Sequence, residues 1–314
     1  FMQLDIVIPC FNEEAVLNEV YLRVNKILEE VKGKKLIDNY KIIFVDDGSN
    51  DRTFEILEKF SQTDQSVKVL SLSRNFGHQA ALSAGLKFSK GDAVISLDAD
   101  LQDPPEMILK FVDKWKQGYE IVYGIRSKRI GGHWFQKYFY KLFYRVFNLT
   151  SDVDIPYDAS EFSLMDRKVV DQIKSLPERV RFIRGLRAWV GFNHTGIEYT
   201  RLDRKKGNSF ATSFNWAPFA LDGILSFTTK MLTYGLLLSL FVVFLAIVFV
   251  IYTIWWYLEY RDGLQPGIAS LLVLTSLFNG MIIIMLGLIG TFAERIYLEV
   301  KGRPPFIIKE KIGL

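Results

Sequence analysis

The sequence predicts an α/β fold, a doubly wound parallel sheet, followed by two membrane-spanning helices near its end. Three observations predict it. Strand and helix patterns alternate through the first hundred residues, an order that builds a parallel sheet with helices on both faces. Polar clusters rich in Asp, Asn and Gly follow the strand patterns, at the strand ends where such sheets bind ligands. Charge then disappears, because Met231 to Leu258 and Gly263 to Ala293 contain no Asp, Glu, Lys or Arg.

Taken in order, Leu4 to Ile8 reads as a buried strand, Glu13 to Val31 as an amphipathic helix and Tyr40 to Val45 as a strand. Thr53 to Phe60 reads as a helix, Val67 to Leu72 as a strand, His78 to Phe88 as a helix and Ala93 to Leu97 as a strand. The clusters beyond the strands are Pro9 to Glu14, Asp46 to Asn50, Ser73 to Gly77 and Asp98 to Asp103. No GxGxxG follows the first strand, so the usual dinucleotide arrangement is not expected. Carboxylates at strand ends repel a bare pyrophosphate; they suit ribose hydroxyls, a base edge or a metal ion that bridges to phosphates.

Asp98-Ala99-Asp100-Leu101-Gln102 is the strongest single feature. A spacing of two along an extended strand end puts the oxygens of Asp98, Asp100 and Gln102 on one side, and hard oxygen ligands suit Mg²⁺ or Mn²⁺. Turn chemistry is the competing reading of such a loop.

Each uncharged stretch exceeds the roughly 20 apolar residues that a membrane helix needs. Trp255, Trp256, Tyr257 and Tyr260 cluster at the end of the first, as an interfacial aromatic belt does. Arg204, Lys205, Lys206 and Lys230 precede the first span and Arg295, Lys301 and Arg303 follow the second, whereas the connection carries Arg261 alone. The positive-inside rule then makes the large domain and the C-terminus cytoplasmic. Leu4 to Pro9 is a short strand-like run containing Asp5, so no signal peptide is expected. The single cysteine, Cys10, excludes an internal disulfide framework. A net charge of +4 is too mild to argue for nucleic acid, but it suits a protein lying against anionic lipid.

Between Gly132 and Asn148, Trp134, Phe135, Tyr138, Phe139, Leu142, Phe143, Val146 and Phe147 interleave with Lys137, Lys141 and Arg145. On a helix this makes an aromatic face with a basic stripe, the form of a helix lying in the headgroup layer. The expected organisation is therefore a cytoplasmic domain over 1–212 with an interfacial helix near 133–148, a juxtamembrane interfacial segment over 213–229, two transmembrane helices over 230–294 and a cytoplasmic tail over 295–314.

Four motifs stand in order: Ile8-Pro9-Cys10-Phe11-Asn12-Glu13-Glu14, Val45-Asp46-Asp47-Gly48-Ser49, Arg74-Asn75-Phe76-Gly77 and Asp98-Ala99-Asp100-Leu101-Gln102. Together they resemble the inverting family 2 glycosyltransferases with the A-type fold. Within that family the chain is similar to the polyprenyl-phosphate glycosyltransferases: the dolichol-phosphate mannose synthases and, more closely, the bacterial bactoprenol glucosyltransferases. Tyr157 to Arg167, Arg181 to Leu186, the two spans and Arg295 to Lys301 extend the resemblance over nearly the whole chain.

The resemblance implies a metal-dependent enzyme that inverts the sugar's anomeric centre as it moves the sugar to a polyprenyl phosphate, with glucose from UDP-glucose and undecaprenyl phosphate as the first expectation and another hexose or an aminopentose as the alternatives. It implies that Pro9, Phe11, Asn12, Glu13 and Asp46 hold the base and ribose, that Asp98 lies against the ribose or metal, and that Asp100 with Gln102 ligates Mg²⁺ or Mn²⁺. Arg204 would bind the donor diphosphate or acceptor phosphate, and Asp158 is the catalytic base by resemblance. A phosphate monoester has its second pKa near 6, so the acceptor is already largely a dianion, and Asp158 is expected to orient it as much as to take a proton. A carboxylate beside a dianion needs a cation nearby; Arg126, Lys137, Arg181 and Arg184 are the residues expected to supply it. The sequence departs from the family at Glu161, where Asp is usual, and at Ser163, where Arg is frequent.

Two other readings remain. A processive polysaccharide synthase shares the fold but adds a Gln-x-x-Arg-Trp motif and more spans, and Arg184-Gly185-Leu186-Arg187-Ala188-Trp189 is not that motif. A catalytically inactive membrane-bound nucleotide-binding scaffold would keep metal-dependent binding without turnover. Two spans make a small anchor, so association into a homo-oligomer is compatible with the sequence.

Overall fold

The computed structural model describes residues 2–126, 159–179, 181–201, 230–259 and 267–314. Its strands are β1 (Gln3–Cys10), β2 (Asn39–Asp46), β3 (Val67–Leu72), β4 (Ala93–Ser96), β5 (Ile121–Arg126), β6 (Ala159–Asp166), β7 (His194–Tyr199) and β8 (Ile308–Ile312). Its helices are α1 (Leu17–Gly33), α2 (Thr53–Thr63), α3 (His78–Phe88), α4 (Met107–Lys116), α5 (Arg167–Ser175), α6 (Ile183–Trp189), α7 (Lys230–Glu259) and α8 (Ile268–Val300).

The strands form one sheet in the order β7-β5-β6-β4-β1-β2-β3-β8. The expected parallel sheet exists at its centre, where β4, β1, β2 and β3 run parallel. The flanks correct the expectation: β6 pairs antiparallel with both β4 and β5, and β8 pairs antiparallel with β3.

Side chains alternate across β1, so that Leu4, Ile6 and Ile8 join one apolar core and Val7 the other. On the first face α1 buries Leu17, Val20, Val24, Ile27, Leu28 and Val31, the three- and four-residue spacing of a helical stripe. On the second, α3 lies so close that a Cβ at Gly85 would come within 2.1 Å of Val7 Cγ1. Burying both faces is what stabilises a parallel centre, at about 1.5–3 kcal/mol for each large apolar side chain removed from water.

The boundaries of α2, α3, β3 and β4 fall within a turn of the sequence reading, while α1 begins at Leu17 and not at Glu13. Glu13 and Glu14 belong to the preceding loop, where their N–H groups donate to Thr53 Oγ1 at 2.9 Å and Asp51 Oδ2 at 3.2 Å.

After β7 and a stretch outside the described residues, α7 and α8 run 30 and 33 residues and meet where Gly235 faces Met285. Among the described residues one segment, Leu274–Val300, is long and apolar enough to cross a bilayer; the apolar run in α7, Ser239–Tyr252, is shorter. Ile283, Ile284 and Leu286 are exposed on α8, as are Phe241, Phe244 and Ile251 on α7, which excludes a reading of these helices as the buried core of the α/β domain. The expected interfacial helix near 133–148 and the segment 213–229 lie outside the described residues.

No apolar run marks the C-terminal tail as a strand, yet β8 closes the edge of the sheet. Ser73 N–H donates to Ile307 O at 2.9 Å, and Glu299, near the end of α8, accepts the Arg179 N–H at 2.9 Å. Ile307 therefore sits at the C-terminal end of β3, and α8 reaches the domain beside the strand ends that carry the motifs.

Candidate functional site

The site is built at the C-terminal ends of β1, β2 and β4. Pro9 lies in a central strand without breaking it. Val7 faces β4, its carbonyl accepting the Leu97 N–H at 3.0 Å, and residue 9 faces the same side. The β1–β4 ladder ends at Val7↔Ser96, so the N–H that proline lacks falls beyond the last rung.

Asn12 follows with φ 55°, in the left-handed region, where asparagine is tolerated. It is pinned from both sides: its N–H donates to Ser49 Oγ at 3.0 Å, and its Oδ1 accepts the Asn50 N–H at 2.8 Å. The loops after β1 and β2 are thus one unit. Asp46 is buried, with Oδ1 accepting the Ser49 N–H at 3.1 Å and Oδ2 the Ser71 hydroxyl at 3.0 Å. Gly48 has φ 68°, and a Cβ there would lie 2.4 Å from the Arg74 carbonyl carbon; only glycine fits on both counts.

Asp47 works on the other side of that turn. It accepts the Phe76 N–H at 2.8 Å and the Gly77 N–H at 2.9 Å, which fixes the entry to α3. Burial raises its pKa, partly offset by those two hydrogen bonds. Burial likewise pushes the Cys10 thiol up.

The Asp98–Gln102 segment corrects the expected geometry. β4 ends at Ser96, and the motif is a turn with Leu101 at φ 57°, in which Asp100 Oδ1 accepts the Gln102 N–H at 3.1 Å. The segment turns back on itself and does not alternate along an extended strand. Asp98 Oδ1 lies 2.8 Å from His78 Nε2. Burial alone would raise the Asp98 carboxyl, but His78, followed by Arg126 and Arg201, outweighs it and holds the pKa at about 2. For His78, burial would lower the pKa, and Asp98 with Glu161 pushes it up to about 9. Asp100 is raised, first by burial and then by the charge of Asp98.

Asp98 and Asp100 thus form a carboxylate pair whose like charges oppose each other, which a hard divalent cation would relieve. Among the described residues no group of three His, Cys, Asp or Glu side chains surrounds a metal position. The donor set fits an ion of the Mg²⁺ kind, which takes one or two carboxylates and completes its shell with water and phosphate oxygens.

Arg126 is occupied: it donates to Asp103 Oδ2 at 3.2 Å and to the Tyr199 hydroxyl at 3.3 Å. Burial would lower its pKa, but Asp103 and Tyr199 raise it on balance. Arg181 donates to the carbonyls of Glu178 and Leu176 at 3.0 and 2.8 Å, so it shapes its own loop. Arg184 stands 3.4 Å from Glu161 Oε1, and its Nε has no hydrogen-bond acceptor. Asp158, Lys137 and Arg204 lie outside the described residues.

Three residues not singled out from sequence enter the site. His78 clasps Asp98; Arg201 lies 3.8 Å from both Asp100 Oδ2 and Asp103 Oδ1; and buried Asp103 anchors Arg126 and Tyr199. The Asp98–Asp103 cluster and the Arg74–Gly77 motif pointed to the neighbourhood, but pairing across the sheet is not written in either. A surface pocket lined by Met2, Asp38, Asp92, Trp115 and Arg167 lies at the opposite end of the strands and contains none of the motif residues.

Residues 5–174 match the family described as glycosyl transferase family 2. An uncharacterised glycosyltransferase, YkcC, of Bacillus subtilis is 42% identical over 100% of this chain and 95% of its own length. The SfII prophage-derived bactoprenol glucosyl transferase of Shigella flexneri is 37% identical over 98% of each chain, and a prophage bactoprenol glucosyl transferase homologue of Escherichia coli is 36% identical over 98% of this chain and 99% of its own.

Proposed function

The chain belongs to glycosyl transferase family 2, and from that premise we propose that it moves a hexose, glucose from UDP-glucose, onto undecaprenyl phosphate at the cytoplasmic surface of a membrane. The relatives named as bactoprenol glucosyl transferases support the sugar and the acceptor. The observation that carries the reading is one of place: Asp46, Asp98 and Asp100 share a sheet edge with Ile307, the point where the chain returns from an exposed apolar helix.

That return also supports two spans. β8 is part of the same sheet as β1, so both ends of the membrane segment lie on one side and the number of crossings between them is even. If Leu274–Val300 crosses, the chain must cross once more before it, and α7 is the long helix available. Basic residues at the outer ends support a cytoplasmic location for that side. The domain limits read from sequence are carried as part of this proposal, with two changes: the second helix runs on to Val300, and residues 308–312 join the domain as its edge strand.

In this reading Pro9, Phe11, Asn12, Glu13 and Asp46 hold the uridine, the Asn12–Ser49 and Asn12–Asn50 bonds keeping both loops in register. Asp98, Asp100 and Gln102 would hold Mg²⁺ or Mn²⁺, which supplies neutralisation of charge on the departing diphosphate. Arg204 contributes positive charge to the same group. Asp158 orients the acceptor phosphate, already a dianion at neutral pH, so that one in-line displacement inverts the sugar without a covalent enzyme intermediate. Arg184, which is ion-paired with Glu161, and Lys137 are the cations proposed to hold the acceptor phosphate, while Arg126 and Arg181 contribute by holding their loops.

Incubation of detergent-purified protein with radiolabelled UDP-glucose and a short polyprenyl phosphate tests the reading. Label should move into the organic phase. No lipid product from any common nucleotide-sugar would instead support a binding or scaffold role.

A further inference from the structure

His78 lies between two clamps. On its N-terminal side, Asp47 of the β2 loop accepts the N–H groups of Phe76 and Gly77. On its C-terminal side, the Gln79 side chain bridges two other elements: its Nε2 donates to Glu161 Oε1 on β6 at 3.3 Å, and its Oε1 accepts the Ile183 N–H at the start of α6 at 2.9 Å. Gly77, with φ 96°, makes the turn between them. The backbone of residue 78 is therefore fixed from β2, β6 and α6 together, and its imidazole is held 2.8 Å from one oxygen of Asp98.

Glu161 is placed to brace this arrangement. The β4–β6 pairing runs Ala93↔Asp166 to Ser96↔Ser163, and continuing that antiparallel register brings Glu161 level with Asp98. Glu161 is buried, its Oε1 faces Gln79 and Arg184, and its Oε2 has no hydrogen-bond partner. A buried carboxylate carries a desolvation cost, and here its contacts hold the first turn of α3 against the sheet.

We propose that His78 is a positioning residue for Asp98, and that Glu161, through Gln79, holds it there, so that this chain of contacts sets the site's affinity for a nucleoside diphosphate with its divalent cation. The inference rests on the glycosyltransferase reading above. His78 takes one Asp98 oxygen and leaves the other for ligand. Without it, the carboxylate is free to rotate into other positions, and ordering it again on binding weakens affinity.

The test is binding of UDP with Mn²⁺ to the full chain in detergent, by calorimetry, for wild type, His78→Ala, His78→Gln and Glu161→Gln, with melting temperatures alongside. In His78→Gln the new side-chain amide nitrogen can stand in for Nε2. Loss of the clasp should weaken binding about tenfold or more in His78→Ala, the scale on which partners of metal-binding carboxylates act. His78→Gln should recover most of that loss, and Glu161→Gln should fall between, with the melting temperature near that of wild type. Wild-type affinity in His78→Ala overturns the proposal while leaving the glycosyltransferase reading intact, as does a loss in His78→Ala that His78→Gln does not relieve. Failure of the wild type itself to bind UDP or any other nucleoside diphosphate overturns both.

Discussion

Alanine at Gly48 would face two obstacles: a left-handed backbone with φ 68° and the Arg74 backbone 2.4 Å from its Cβ. The conformation alone costs about 1–2 kcal/mol, and displacing Arg74 disturbs the loop that enters α3. Gly48→Ala should therefore weaken UDP binding more strongly than it lowers the melting temperature, since Asp46 and Ser49 flank the turn; calorimetry on the variant checks this. The His78–Asp98 pair gives a pH dependence. His78 rises from 6.5 to about 9, so its contribution to stability is complete below about pH 6.5 and is lost as pH rises through about 9. Asp98 falls from 3.8 to about 2, so its contribution is present above about pH 3.8 and is lost as pH falls through about 2. Because the His78 side chain is 43% exposed, solvent screens the pair and the effect is a gentle slope. Measured without divalent cation, the melting temperature should decline between pH 6.5 and 9 in wild type and less in His78→Gln. The acidic members of this site were legible as residue types at strand ends. His78 was not, because a histidine after Gly77 has no periodic or spacing signal, and its partner lies twenty residues away.

At the scale of elements, β8 is the most informative strand. Ile308–Ile312 covers the edge of β3 while exposing Lys309, Glu310 and Lys311 to solvent, charges that discourage further strand pairing. Deleting residues 304–314 should expose that edge and leave the Arg179 contacts with Glu299 and Arg303 as the described tie between the domain and the end of α8. UDP binding should survive, since no β8 side chain enters the site, while transfer to a polyprenyl phosphate in vesicles should fall severalfold; both can be measured on one preparation. Equal loss of the two would mean that β8 serves domain stability alone. The central strands were readable from their apolar runs, because both faces of a parallel centre are buried. The antiparallel flanks were not. β6 and β8 join the sheet over long separations, and Ile308–Ile312 is short and mostly charged, so nothing local marks it as a strand.

For the molecule as a whole, the arrangement brings the proposed nucleotide site, an acidic pair and the root of an exposed apolar helix to one edge of one sheet. The split between charged domain and apolar C-terminal region is plain in the sequence, and the fold adds a consequence: the chain returns from α8 into the same sheet, so the edge that carries the acidic motifs is tied to the end of α8. The turn geometry at Asp98–Gln102 could not be read from spacing, since the same residues suit an extended strand end. Transfer of label from UDP-glucose to a short polyprenyl phosphate, with Mg²⁺ or Mn²⁺ and with EDTA, for wild type and Asp100→Ala, decides whether this edge carries metal-dependent glycosyl transfer. Lipid product should require the cation and disappear in Asp100→Ala. Undiminished product in EDTA, or in Asp100→Ala, would contradict metal-dependent transfer at this edge.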